Sequence, residues 1–193
     1  MTYLEEIQKS MNKLGEEGYI FIGQNLIWGG TSMYHTVKHL PIEQRIEIPV
    51  FEDIQAGMSI GMTLEGMKIC SVYPRWDFML LAMNEIVNHA DKIKLMSDGQ
   101  FTLKGLIFRV AVGSVKPMFP GEQHCGDYTE ALKLMCKDIR VVKLSKVEQI
   151  FPEYLKAMES DVPTVLVELP DLYNKNLIKD IEGSKDDVKS KEF

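Results

Sequence analysis

The residues of this chain best suited to chemistry lie between Arg45 and Met67, RIEIPVFEDIQAGMSIGMTLEGM. Ile46, Ile48 and Val50 alternate as in a strand that ends at Phe51-Glu52, and Ile54, Met58, Met62 and Leu64 continue at helical spacing. Glu52 therefore falls at a strand-to-helix junction. In open α/β sheets ligands bind outside the carboxyl ends of the strands, so an acid there, flanked by Phe51 and Ile54, is a candidate for a partly desolvated carboxyl that holds and passes a proton. The alternative is a solvated first-turn acid favoured by the helix dipole. Gly57 and Gly61, one turn apart, each cost a helix about 1 kcal/mol relative to alanine. Their presence predicts that something packs close to that face.

Other chemistry-bearing residues are sparser. His124 stands in a glycine- and proline-bearing loop, SVKPMFPGEQHCGD. His35 and His39 are four apart, a spacing that can ligate zinc on a helix, but no third ligand accompanies them. Trp28, Trp76 and the methionines read as packing residues, and His89 as a residue at the edge of the core. Cys70, Cys125 and Cys136 form no CxxC pair, which points to three reduced thiols rather than a disulfide framework or a zinc site. The net charge of −6 without a dense Lys/Arg block argues against a nucleic-acid surface. No apolar run is long enough to span a bilayer. The N-terminus is an acidic amphipathic helix rather than a signal peptide, so a cytoplasmic protein is expected.

The elements that must position Glu52 and His124 alternate along the chain. A helix over Thr2 to Leu14 precedes a strand at Tyr19 to Ile22, a glycine-rich loop and a short helix at Tyr34 to Leu40. The run up to Val50 reads as the central strand, followed by the Glu52 helix and the buried strand KICSVY, which Pro74 terminates. Asp77 is placed to cap the next helix, roughly Phe78 to Met96, the longest expected. GLIFRVAVG, from Gly105 to Gly113, is a near-continuous apolar run, as in a parallel strand covered on both faces. A helix at Tyr128 to Cys136, a strand at Ile139 to Leu144, a helix at Lys146 to Met158 and a last strand at Pro163 to Leu169 follow. This alternation specifies an α/β fold with a mainly parallel, doubly wound sheet and helices on both faces. With 193 residues, 45% of them apolar, one domain over residues 1–173 is expected, and the polar stretch 174–193 reads as a mobile tail.

The order of these motifs resembles the pyrimidine-binding domain of thiamine-diphosphate enzymes, of the type found in transketolase and in the β-subunit of 2-oxoacid dehydrogenase E1 components. The resemblance runs from about Tyr19 to Tyr173 and rests on three ordered segments, IPVFEDIQAGMSIGMTLEGM, RWDFMLLAMNEIVNHADKIKLMSDGQ and GEQHCGDYTEAL. It implies the thiamine-diphosphate-binding fold and gives roles to individual residues. Glu52 falls on the glutamate that hydrogen-bonds the aminopyrimidine of the cofactor and promotes its imino tautomer. Phe78 falls where an aromatic ring packs against the pyrimidine, and Pro74 and Leu81 fall on lesser cofactor contacts of different residue type. His124 corresponds to a histidine near the substrate that binds a carboxylate or moves a proton.

The resemblance also implies a division of labour. The family holds the diphosphate and its Mg2+ through a Gly-Asp-Gly motif in a separate domain, and this sequence has only Ser97-Asp98-Gly99. Gln24 and Asn25 are amides where acids are common, and the further C-terminal domain usual in β-subunits is not expected here. The implied protein is the pyrimidine-binding subunit of a split enzyme that decarboxylates a 2-oxoacid such as pyruvate, or cleaves a ketose, and transfers a two-carbon unit. A diphosphate-binding partner subunit would complete an α2β2-type hetero-oligomer. The rival readings are a non-catalytic regulatory or assembly module with the same fold, favoured by the two amides, and a flavodoxin-like nucleotide-binding protein. The last lacks a glycine-rich phosphate loop at the first strand-helix turn.

Overall fold

The computed structural model describes residues 1–116 and 118–173; the tail expected over 174–193 lies outside the described residues. The apolar runs take the middle of the sheet. After β1 (Ile20–Gly23) and β2 (Arg45–Glu47) come β3 (Ile69–Tyr73) and β4 (Ile107–Ala111), both buried at every position, as strands covered on two faces must be. With β5 (Arg140–Lys143) and β6 (Thr164–Glu168) they form a six-stranded, all-parallel sheet in the order β2-β1-β3-β4-β6-β5. One face carries α1 (Tyr3–Glu16), α2 (Tyr34–Val37) and, later in the chain, the helix Val147–Glu159. The other carries α3 (Glu52–Leu64), α4 (Trp76–Met79) and the helix Thr129–Met135. This is the three-layer, doubly wound arrangement expected.

Four local expectations are corrected. The strand before Glu52 is not central but an edge strand of three residues. Pro49 has no N–H to donate, so the run leaves the ladder after Ile48, whose N–H bonds the carbonyl of Gly23. The expected long helix is a succession: α4, a tight turn at Leu80–Ala82, a π-helical stretch at Glu85–Ala90 and α5 (Ile93–Met96). Its buried stripe of Met79, Ala82, Ile86 and Ala90 keeps helical spacing, and no glycine or proline in the sequence marks the changes of pitch. Asp77 does not cap α4; it accepts the N–H of Gly126 instead. Trp76 is buried as expected, but Trp28 is 73% exposed in the loop after β1. The helices Thr129–Met135 and Val147–Glu159 are called α6 and α7 below.

The core on the α1, α2 and α7 side is built round an ion pair whose cation stands in β4, the run read from the sequence as simply apolar. Arg109, fully buried, donates through Nε and Nη2 to the carboxylate of Glu168 at the end of β6. Nη2 also donates to Thr36 Oγ1 on α2 at 2.7 Å, while the hydroxyls of Tyr154 on α7 and Tyr173 donate to Glu168 at 2.6 and 2.5 Å. Burial opposes the charge on Arg109, but the adjacent carboxylate more than offsets this and holds the guanidinium well above its usual range. Burial and the same carboxylate push both phenols up, so they remain donors. Removing one partner of such a pair strands the other charge. Glu168→Gln is expected to lower the unfolding free energy in urea by about 3–5 kcal/mol; a loss below about 1 kcal/mol, as for an exposed ion pair, would contradict the assignment.

Candidate functional site

Glu52 opens α3 with 1% of its surface exposed, which rules out the solvated-acid alternative; its neighbour Asp53 is the exposed acid of that turn. One carboxylate oxygen, Oε1, accepts from Gln24 Nε2 at 3.1 Å. The other, Oε2, is buried and has no partner among the described residues.

The surroundings explain this placement. Gly23 has φ of +149°, and a Cβ there would stand 2.2 Å from the carbonyl oxygen of Val72 and 2.9 Å from Gln55 Nε2. Only glycine lets β1 press so closely on β3, and that contact sets the course of Gln24. Gln55, one turn into α3, donates to the Val72 carbonyl at 3.0 Å and to Ser71 Oγ at 3.1 Å, pinning the helix to β3. Glu47 at the end of β2 accepts the N–H groups of Asn25, Leu26 and Ile27, each at 2.7 Å, and Asn25 takes φ of +58° to allow it. The loop beside Glu52 is thus fixed by a second acid.

Phe78 and His124 meet edge to face, with ring centres 5.6 Å apart. Leu81 is 68% exposed, in the turn that packs on α3. Pro74 is buried and lines a cleft of about 590 Å³ formed by the loops after β1, β3, β4 and β6. Of the five expected site residues, only Pro74 lines this cleft. Its polar wall comes from Ser32, His35, Arg75, Ser114 and Lys116, and no acid is among its described lining residues. The structure therefore groups the candidates as Glu52 with Gln24, and Phe78 with His124. His39 is exposed, and no three His, Cys, Asp or Glu side chains come together as a metal site among the described residues.

The face of α3 expected to be closely packed is open. Among the described residues, and apart from the helix's own backbone, no atom lies within 4 Å of where a Cβ on Gly61 would stand, and the nearest to Gly57 is Glu85 Cγ at 4.0 Å. Val50, Phe51, Ile54 and Met58 are exposed beside these glycines, and Leu80 and Leu81 are exposed on the turn that packs on α3.

No family model matches the chain. Among curated proteins it is 28% identical over 127 residues to the mitochondrial pyruvate dehydrogenase E1 β-subunit of Ascaris suum, a match covering 66% of this chain and 34% of that one. To the Caenorhabditis elegans mitochondrial E1 β-subunit it is 25% identical over 174 residues, covering 90% of this chain and 47% of the relative. The chain thus spans less than half the length of these relatives. Among solved structures, the β4 tetramer of a split-gene transketolase, described as inactive, superposes with a TM-score of 0.64 at 15% identity over 88% of this chain and 51% of that one. The Campylobacter jejuni transketolase superposes with a TM-score of 0.66 at 12% identity, over 88% of this chain and 26% of that one. In fold the chain matches the transketolase structures, and in sequence it is similar to pyruvate dehydrogenase E1 β-subunits. Both similarities are of the kind that the three ordered sequence segments imply.

Glu47 and Gln55 drew no attention in the sequence. The only signal for Glu47 was an acid on a strand that otherwise alternates with apolar residues. The thiols differ in reactivity: burial pushes Cys70 up to about 12, and burial together with Asp91 pushes Cys136 up to about 12. Cys125, part-exposed beside His124, is raised too, mainly by burial. Little thiolate exists at any of the three at pH 8, so access decides. Iodoacetamide at that pH is expected to label Cys125 and Cys136, both part-exposed, before the buried Cys70, as read by peptide mass spectrometry; labelling of Cys70 ahead of either would contradict the packing. Glu47→Ala is expected to speed hydrogen exchange at the amides of residues 25–27 selectively, and unchanged exchange there would mean that the loop is held by other contacts.

Proposed function

We propose that this chain is the pyrimidine-binding subunit of a split thiamine-diphosphate enzyme, with residues 1–173 as its single domain. A separate chain would hold the diphosphate and Mg2+, in an α2β2-type hetero-oligomer. The observation that carries the reading is the unpartnered Oε2 of Glu52. An acceptor buried without a donor costs about 1–3 kcal/mol, and the aminopyrimidine of the cofactor brings the missing donor. The residues present therefore fit that half of the cofactor.

When bound, thiamine diphosphate supplies the electron sink needed to decarboxylate a 2-oxoacid or cleave a ketose and transfer the two-carbon unit. Glu52 would share a proton with the pyrimidine, its charge oriented by Gln24. An amide suits that position, because a second acid at hydrogen-bond distance would repel the first unless one were protonated. Phe78 would pack on the pyrimidine, with Pro74 and Leu81 as lesser contacts, and His124 would bind a substrate carboxylate or move a proton. Arg75 and Lys116, in a cleft at the same end of the sheet with no acid among its described lining residues, suit an anionic substrate of the pyruvate class. The exposed apolar side chains of α3, with its bare glycines, support the partner reading, since apolar surface left uncovered in this way is what an interface buries.

Calorimetric titration of thiamine diphosphate with Mg2+ into the chain, alone and mixed with a diphosphate-binding partner, tests the reading. Binding is expected only in the mixture; binding in neither would favour the non-catalytic module. In the assembled enzyme Glu52→Gln is expected to lower kcat by about 100-fold or more, and turnover within a few-fold of wild type would remove the role given to Glu52.

A further inference from the structure

Four consecutive side chains, Arg75 to Phe78, each grip the loop that carries His124. Arg75 Nη1 donates to the main-chain carbonyl of His124 at 2.9 Å. Trp76, fully buried, meets the ring of Tyr128 edge-on at 5.9 Å and points Nε1 at Thr129 Oγ1, 3.4 Å away. Both carboxylate oxygens of Asp77 accept the N–H of Gly126, at 3.2 and 3.1 Å. Phe78 meets the imidazole itself. Gly113, just beyond β4, closes the remaining side: a Cβ there would stand 1.6 Å from the carbonyl oxygen of His124 and 2.9 Å from Arg75 Nη1.

The gripped loop carries little regular structure of its own, and its other anchor is Asp127, beyond the clamp, which accepts from Thr129 and from Lys143. Residues Glu122–His124 form a single 3-10 turn, too short for a hydrogen-bond ladder. Arg75 and Asp77 bracket the loop with opposite charges, one on the carbonyl of residue 124 and the other on the N–H of residue 126. Hydrogen bonds with a charged partner are roughly twice as strong as neutral ones. We propose that Arg75 and Asp77 are positioning residues, a charged clamp that holds the His124 imidazole against the edge of Phe78. Arg75 also lines the cleft, so the clamp ties the position of the imidazole to the cleft wall. What the clamp serves rests on the role proposed for His124; its existence does not.

The test uses the full-length chain and no turnover. Carbon–proton NMR correlations of its four histidine rings are recorded, with His124 assigned by its loss in His124→Gln. Phe78→Leu removes the ring-current contribution and marks where a released imidazole resonates. Asp77→Ala and Arg75→Gln are each expected to move the His124 signal towards that position while those of His39 and His89 stay in place. Arg75→Lys, which keeps a cationic donor, is expected to restore part of the wild-type shift. Should Arg75→Gln fail to fold, Asp77→Ala decides alone, since Asp77 caps no helix. An unmoved His124 signal in the folded variants overturns the clamp and leaves the thiamine reading standing. Failure of thiamine diphosphate to bind the assembled complex would do the reverse.

Discussion

The buried pair of Arg109 and Glu168 is the interaction on which this architecture turns. It lies between the two adjacent strands β4 and β6, and its remaining hydrogen bonds reach α2, α7 and the residue that ends the described chain, Tyr173. An ion pair in a core is a poor source of net stability compared with apolar residues of the same size. It does demand that every group around it be in register. The three hydroxyl groups that meet it come from elements far apart in sequence, so the layer packs correctly only when β4, β6, α2 and α7 are all in place.

The same logic recurs on a smaller scale around Glu52. Each polar group there is fixed by another: Gln24 by the pressed backbone at Gly23, the loop after it by Glu47, and α3 by Gln55. The result is a carboxylate with one oxygen engaged and one held ready. Such an arrangement is preorganised, in that a donor brought to Oε2 would complete a set of hydrogen bonds rather than create it. The chemistry proposed for the site needs little movement of this side chain.

The sheet was legible because its central strands are apolar on both faces and its helices carry one buried stripe. KICSVY and GLIFRVAVG could hardly be read otherwise. The errors came where a local signal was outweighed by its neighbours. The run to Val50 has strand alternation, but Pro49 ends its pairing at the sheet edge. Residues 78–96 keep helical spacing of buried side chains while the backbone changes pitch with no glycine or proline to announce it. Around the candidate site, Glu52, Phe78 and His124 were singled out because each lies in a segment of recognisable order. Arg75 and Glu47 were not, because a charged residue beside a strand end looks like any solvated one until its partner, distant in sequence, is known. Arg109 was hidden more thoroughly, as one cation inside an apolar run.

The turn after β1 offers three N–H groups in one direction, with Asn25 in a left-handed conformation. Backbone concavities of this kind gather phosphates in many proteins. Here the chain has stoppered its own with the Glu47 carboxylate, supplied by the adjacent strand. The turn is therefore electrostatically spent: an incoming phosphoryl group would have to displace a tethered anion, at an effective concentration no free ligand reaches. At this turn the fold turns such a group away, so a molecule with an apolar ring at one end and a polyanion at the other would have to reach Glu52 with its charged end directed elsewhere.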